Sequence, residues 1–167
     1  MTLRITRKLL IVIIFISFIG CTLKAVDTEE AGNRDTDKNW VLIATQSSKY
    51  KRTIVSEIKD ILKKNNCYVK VVDVRNLNDI SALEYNAVVI LNRCMAGRPD
   101  PRVESFIDTT QQKDKVILLT TGQLDSWKPD SKEVDAMTSA STMSESTKIA
   151  RTIAGKVLML LDTQKSS

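Results

Sequence analysis

The chain has 167 residues, with 25 Lys and Arg against 20 Asp and Glu, a formal charge of +5 and no histidine. The missing imidazole removes Ser-His and Cys-His nucleophile pairs and histidine metal sites, and three cysteines without C-x-x-C spacing supply no zinc framework. Arg4, Arg7 and Lys8 lie within the first 20 residues; beyond them 22 basic side chains stand against 20 acidic ones, a balance that gives no footprint for nucleic acid.

Residues 1–20 run from Arg4, Arg7 and Lys8 through an apolar stretch, Leu9 to Ile19, to Gly20, which is the order of an export signal. The apolar run is about a dozen residues, whereas a membrane-spanning helix needs roughly 20. No second such run follows, so a permanent transmembrane helix is not expected. Phe18-Ile19-Gly20-Cys21 resembles the lipobox of bacterial lipoproteins, with Phe18 where leucine is usual. That resemblance implies cleavage before Cys21 and acyl chains of the palmitate type carried through its thiol. Two buried chains, at about 0.8 kcal/mol per CH₂, hold a protein stably on the extracytoplasmic side of a cell membrane. An ordinary secretory signal that happens to meet a cysteine is the plainer alternative.

Residues 21–38, CTLKAVDTEEAGNRDTDK, are polar and aperiodic and read as a flexible lipid-anchored tether. One domain is expected over residues 39–164, with 165–167 as a tail. Trp40 to Ala44 predicts the first strand, and Thr53 to Lys64, with Ile54, Ile58, Ile61 and Leu62 on one face, predicts a helix. Val69 to Val74 and Ala87 to Leu91 are nearly continuous apolar runs, as strands covered on both faces are. A helix over Arg102 to Gln111, a strand over Lys115 to Thr120, a fifth strand over Glu133 to Thr138 and a last helix over Ser144 to Leu161 complete the alternation. Cys67 and Cys94 flank apolar strands and read as structural thiols; a disulfide between them requires Cα atoms within about 7 Å.

Strand alternating with helix predicts a parallel sheet covered by helices. With WVLIATQSSKYKRTIVSEIKDIL, the phrase LEYNAVVI and KVILLTTGQL, the chain resembles the flavodoxin-like superfamily. The resemblance implies a single doubly wound parallel five-stranded sheet in the order 2-1-3-4-5. It also implies flavin mononucleotide (FMN) at the carboxyl ends of the strands and exchange of electrons with a redox partner protein. The first loop would present the hydroxyls of Thr45, Ser47 and Ser48 and the charges of Lys49, Lys51 and Arg52 to a phosphate. The usual T-G-x-T glycine is absent, and Lys51 stands where a threonine is expected. Arg93 and Arg98 would neutralise flavin charge from the second loop, and Trp127 is placed to stack on the ring. A solvated basic turn and a Trp packed on its own domain explain the same residues.

Asp135 to Ser141 fits D-x-x-[ST]-[GS]-A-[ST] and resembles the covalent flavinylation motif of FMN-binding extracytoplasmic domains, which implies FMN attached through its phosphate at Ser141. A strand followed by a helix-capping turn accounts for the segment equally. Two functions therefore stay open. One is an FMN-dependent extracytoplasmic electron carrier; the other is a flavin-free binding or structural lipoprotein. A hydrolase or metal enzyme has no residues to support it.

Overall fold

The computed structural model describes residues 25–122 and 132–165; the expected export signal, Cys21 and Trp127 lie outside these. Six strands, β1 (Glu29–Ala31), β2 (Asn39–Thr45), β3 (Cys67–Asp73), β4 (Ala87–Arg93), β5 (Val116–Thr121) and β6 (Asp135–Ser139), form one sheet in the order β1-β3-β2-β4-β5-β6. The last five run parallel, and β1 adds an antiparallel edge to β3 with Glu29 opposite Val71 and Ala31 opposite Val69. The expected all-parallel sheet of five is thus corrected to a mixed sheet of six. An edge strand covered on one face needs no apolar run, so Glu29-Glu30 carries no strand signal.

Within the tether expected over residues 21–38, Val26 and Ala31 pack against the core and Glu29–Ala31 pair with β3, while most of its other described residues are exposed. The Val26 N–H donates to Asp73 Oδ2 at 2.8 Å. Glu29 pairs with Lys59, and the Trp40 indole N–H donates to the Asp37 carbonyl at 3.0 Å. The Arg34 guanidinium lies over the Trp40 ring, 5.2 Å from its centroid.

Alternate residues of each strand enter opposite layers. Val41, Ile43, Val89, Leu91, Ile117 and Leu119 meet α1 (Lys49–Lys64) and α3 (Ser146–Lys165) through Ile54, Ile58, Leu62, Ile153 and Val157. Leu42, Ala44, Val88, Ile90 and Leu118 meet α2 (Pro101–Thr109) through Val103, Phe106 and Ile107. α1 starts earlier than its apolar face predicts because Ser48 caps it, accepting the Lys51 N–H at 3.1 Å. Asp100 caps α2, with Pro101 in the first turn, where a missing N–H costs nothing. Cys67 begins β3 and Cys94 follows the end of β4, so the two free thiols lie at opposite edges of the sheet.

Candidate functional site

In a doubly wound sheet the ligand crevice opens outside the carboxyl ends of the strands where the order reverses, here between β2 and β4. Among the described residues, the seven buried polar or charged ones are Thr45, Lys51, Asp73, Asn92, Thr120, Thr121 and Ser146. All stand at that edge: five end β2, β3, β4 or β5, and Lys51 and Ser146 lie in the first turns of α1 and α3. Burying unpaired polar groups is costly, so this edge is the part of the molecule where side-chain chemistry departs from packing.

A hydrogen-bonded chain spans the crevice. Lys51 Nζ, turned inward from α1, donates to Gln46 Oε1 at 3.0 Å, and Gln46 Nε2 donates to Asp100 Oδ2 at 3.1 Å. Asp100 is fixed in turn by its N–H to Asn92 Oδ1 at 3.2 Å and by accepting from Arg102 N–H at 3.0 Å. Burial pulls the Lys51 ammonium down to about 7, the nearby Arg93 charge pushes the same way, and the Asp100 carboxylate opposes both. Beyond this chain, Asn92 Nδ2 and Thr120 Oγ1 are buried without a hydrogen-bond partner among the described residues, on register-paired positions of β4 and β5.

Of the residues expected to receive a phosphate, Thr45 spends its hydroxyl hydrogen within the protein, whereas Ser47 and Ser48 only accept and keep theirs to donate. Ser48 Oγ caps its own helix, Ser47 Oγ accepts from Arg52 Nη1 at 3.2 Å, and Thr45 Oγ1 donates to the Gln46 carbonyl at 3.2 Å. Lys49 is exposed, and Arg93, also exposed, shares the edge and its electrostatic field with Lys51. A phosphate here would have to displace Gln46 and lie against the Asp100 carboxylate. Among the described residues the Gln46 amide and the Asp100 carboxylate oppose a phosphate at the switch point, while the Ser47 and Ser48 hydroxyls can still donate to one.

Ser141 sits just past β6, exposed, in a left-handed conformation with φ 61°, and its N–H meets Ser139 Oγ at 3.3 Å. Ser139 Oγ is 2.6 Å from the buried Tyr50 hydroxyl, which ties the end of β6 to the first turn of α1. The motif's Asp135 pairs with Lys156 on α3 rather than with Ser141. Trp127 lies outside the described residues.

Gln46, Tyr50, Asn92 and Asp100 organise the edge, and sequence reasoning does not single them out. Asp100-Pro101 carries a legible helix-start signal, and Asn92 a weaker one as the amide that ends an apolar strand. Nothing in the sequence tells which acid an inward lysine will face.

A second cavity, about 450 Å³, lies at the opposite edge between the loop carrying Ile80 to Leu83 and the end of α2. Its described lining contains no ionisable side chain.

No protein-family model matches the sequence, and no curated protein matches it. Solved structures do. An oxidoreductase from Corynebacterium diphtheriae superposes with a TM-score of 0.52 at 11% identity, over 75% of this chain and 97% of that one. A flavodoxin from the domain Archaea gives 0.45 at 13% identity over 71% and 98%, and general stress protein 14 from Treponema denticola, in complex with FMN, gives 0.40 at 10% over 73% and 99%. The first likeness bears on the fold alone. The other two add nothing to that.

Proposed function

We propose that the chain is a membrane-anchored lipoprotein of the bacterial cell envelope, held through Cys21, whose flavodoxin-like domain works as a flavin-free binding or structural module. The observation that carries the flavin-free reading is the Lys51–Gln46–Asp100 chain across the β2/β4 crevice. An FMN phosphate is held by bare backbone N–H groups at a helix start. Here that start carries a buried lysine already bonded to the protein's own Gln46 amide, beside the Asp100 carboxylate, which repels an anion. The anchor reading rests on the order of basic, apolar and small residues ahead of Cys21.

Titrating the mature protein with FMN while following flavin fluorescence tests the first part. Unchanged emission at stoichiometric and at excess flavin is expected. Saturable quenching abolished by Lys51→Glu would replace this reading with the FMN-dependent electron carrier.

One observation favours that second reading by another route. Ser141 is exposed on left-handed backbone at the same edge, and attachment there would not use the hydroxyls of Thr45, Ser47 or Ser48. Co-expression with a flavin transferase, followed by intact mass, decides it: added FMN mass that disappears in Ser141→Ala establishes the flavin carrier, and unchanged mass leaves the flavin-free module.

A further inference from the structure

β1 runs antiparallel to β3, so the chain enters the domain at the carboxyl edge of the sheet, not at its amino edge. Val26 is pinned there by the Asp73 carboxylate, which the side-chain and backbone N–H groups of Arg75 hold from the other side. Burial alone would raise the Asp73 carboxyl; the bonds from Arg75 and from the Val26 N–H outweigh it and keep it below the usual carboxylate range. A groove of about 430 Å³ beside this point is lined by Ala25 and Val26 together with Thr45, Gln46, Ser47 and Arg52, so the first described residues face the first carboxyl-edge loop across it.

Only Thr22, Leu23 and Lys24 separate Cys21 from Ala25. Four peptide steps, fully extended, reach about 14 Å. A lipid on Cys21 therefore leaves no long spacer. It brings the root of the domain, and with it the carboxyl edge, to the surface of the bilayer.

That edge carries the chemistry of a lipid-facing surface. Arg93 to Arg98 fold into a tight hairpin in which Met95 and Arg98 exchange backbone hydrogen bonds of 2.9 and 3.0 Å, with Ala96 and Gly97 at φ 50° and 76° forming its tip. Met95 is 59% exposed and flanked by exposed Arg93 and Arg98. Met143, beyond β6, is 44% exposed at the same edge, and Lys49 and Arg52 are exposed on the first turn of α1. Asp73 and Asp100 pair with Arg75 and Arg102, and the further acids of this edge are the exposed Glu104 in the first turn of α2 and the exposed Glu145, 4.0 Å from Lys148.

Resting on the anchor reading above, we infer that the carboxyl edge of the sheet is the membrane-facing surface. The Arg93–Arg98 hairpin, Lys49 and Arg52 lie against anionic phospholipid headgroups, and Met95 enters the interface. Basic side chains gain from a negative surface within about a Debye length, and an apolar tip flanked by arginines suits the headgroup boundary.

The test uses the full chain, lipidated in cells and reconstituted into vesicles of phosphatidylethanolamine and phosphatidylglycerol. Met95→Cys and Asp114→Cys, each in Cys94→Ser, carry an environment-sensitive fluorophore at the carboxyl edge and at the turn before β5. Headgroup spin-labelled lipid is expected to quench the Met95 position several-fold more than the Asp114 position. Changing Lys49, Arg52, Arg93 and Arg98 together to Gln should reduce the difference. Equal or reversed quenching on a protein whose Cys21 carries diacylglycerol by mass overturns the orientation alone. A Met95 label that stays water-exposed on such a protein overturns it too, and leaves that edge to a protein partner. An unmodified Cys21 in a protein that does not float with vesicles sinks the anchor reading and this inference together.

Discussion

The two edges of the sheet join the same strands to the same helices, yet they are built differently. At the amino edge polar side chains that turn the chain, such as Lys63, Lys64 and Asp114, stand in water, and the residues buried there include Leu62, Cys67, Tyr68, Tyr85, Ala87 and Val116. At the carboxyl edge seven polar or charged residues are buried, two with unpartnered atoms. The fold does not demand this, since the amino edge manages without it. Local rules of packing are given up at one end only, which is where a doubly wound sheet keeps its site.

The largest effect that probes this contrast lies between the edges. Ile90 is fully buried in the middle of β4, and Ile90→Ala removes atoms from a layer that Val103, Phe106 and Ile107 complete. A loss of about 2–5 kcal/mol is expected, from lost transfer energy and the cavity left behind. Urea unfolding should show it as a lower midpoint at unchanged slope. A loss below that range would mean that the strand centres are not the source of stability and that the contrast between core and edge is misdrawn.

The next effect has the opposite sign. Lys51 releases its proton near pH 7 in the fold and near 10.5 when unfolded, so between those values the unfolded chain binds more protons. Native stability therefore rises with pH across that window, and below pH 7 the penalty of the buried charge is fully present. Lys51→Met keeps the length and removes the charge. A gain of about 1–3 kcal/mol is expected below pH 7, fading as pH rises toward 10.5, because a buried ion replaced by an apolar side chain of similar volume is often neutral or stabilising. A flat difference between variant and parent across the same pH range would show that Lys51 reaches water.

These substitutions mark how far the sequence can be read. Ile90 is legible because a strand buried on both faces must be apolar at every position, and that run survives in the sequence without knowledge of its neighbours. The helices are legible from periodicity, although α1 begins four residues before the expected Thr53, since the capping hydroxyl of Ser48 and the first turn carry no apolar signal. β1 is invisible because pairing, not burial, defines it. Lys51 reads as an anion-attracting residue, but its inward turn depends on Gln46 and Asp100, and Asp100 lies 49 positions away in the chain. Composition shows that a lysine is present; only the long-range topology shows what it faces.

The smallest effect tests whether the edge is as polar as it looks. Thr120 Oγ1 is buried without a partner, in register with Asn92, whose Nδ2 is also unpaired. Thr120→Val replaces the hydroxyl by a methyl of nearly the same shape. If the hydroxyl is unbonded, the variant removes a desolvation cost and leaves no new orphan, so the midpoint of unfolding should rise by the equivalent of about 0.5–1 kcal/mol. If the two groups share an internal water, the same substitution strips that water of a partner and the midpoint falls. A combined variant with Asn92→Ala separates the cases. Additive effects leave the two positions independent, whereas a clear coupling between them places a bound water in the crevice and makes the β4/β5 end a hydrated site.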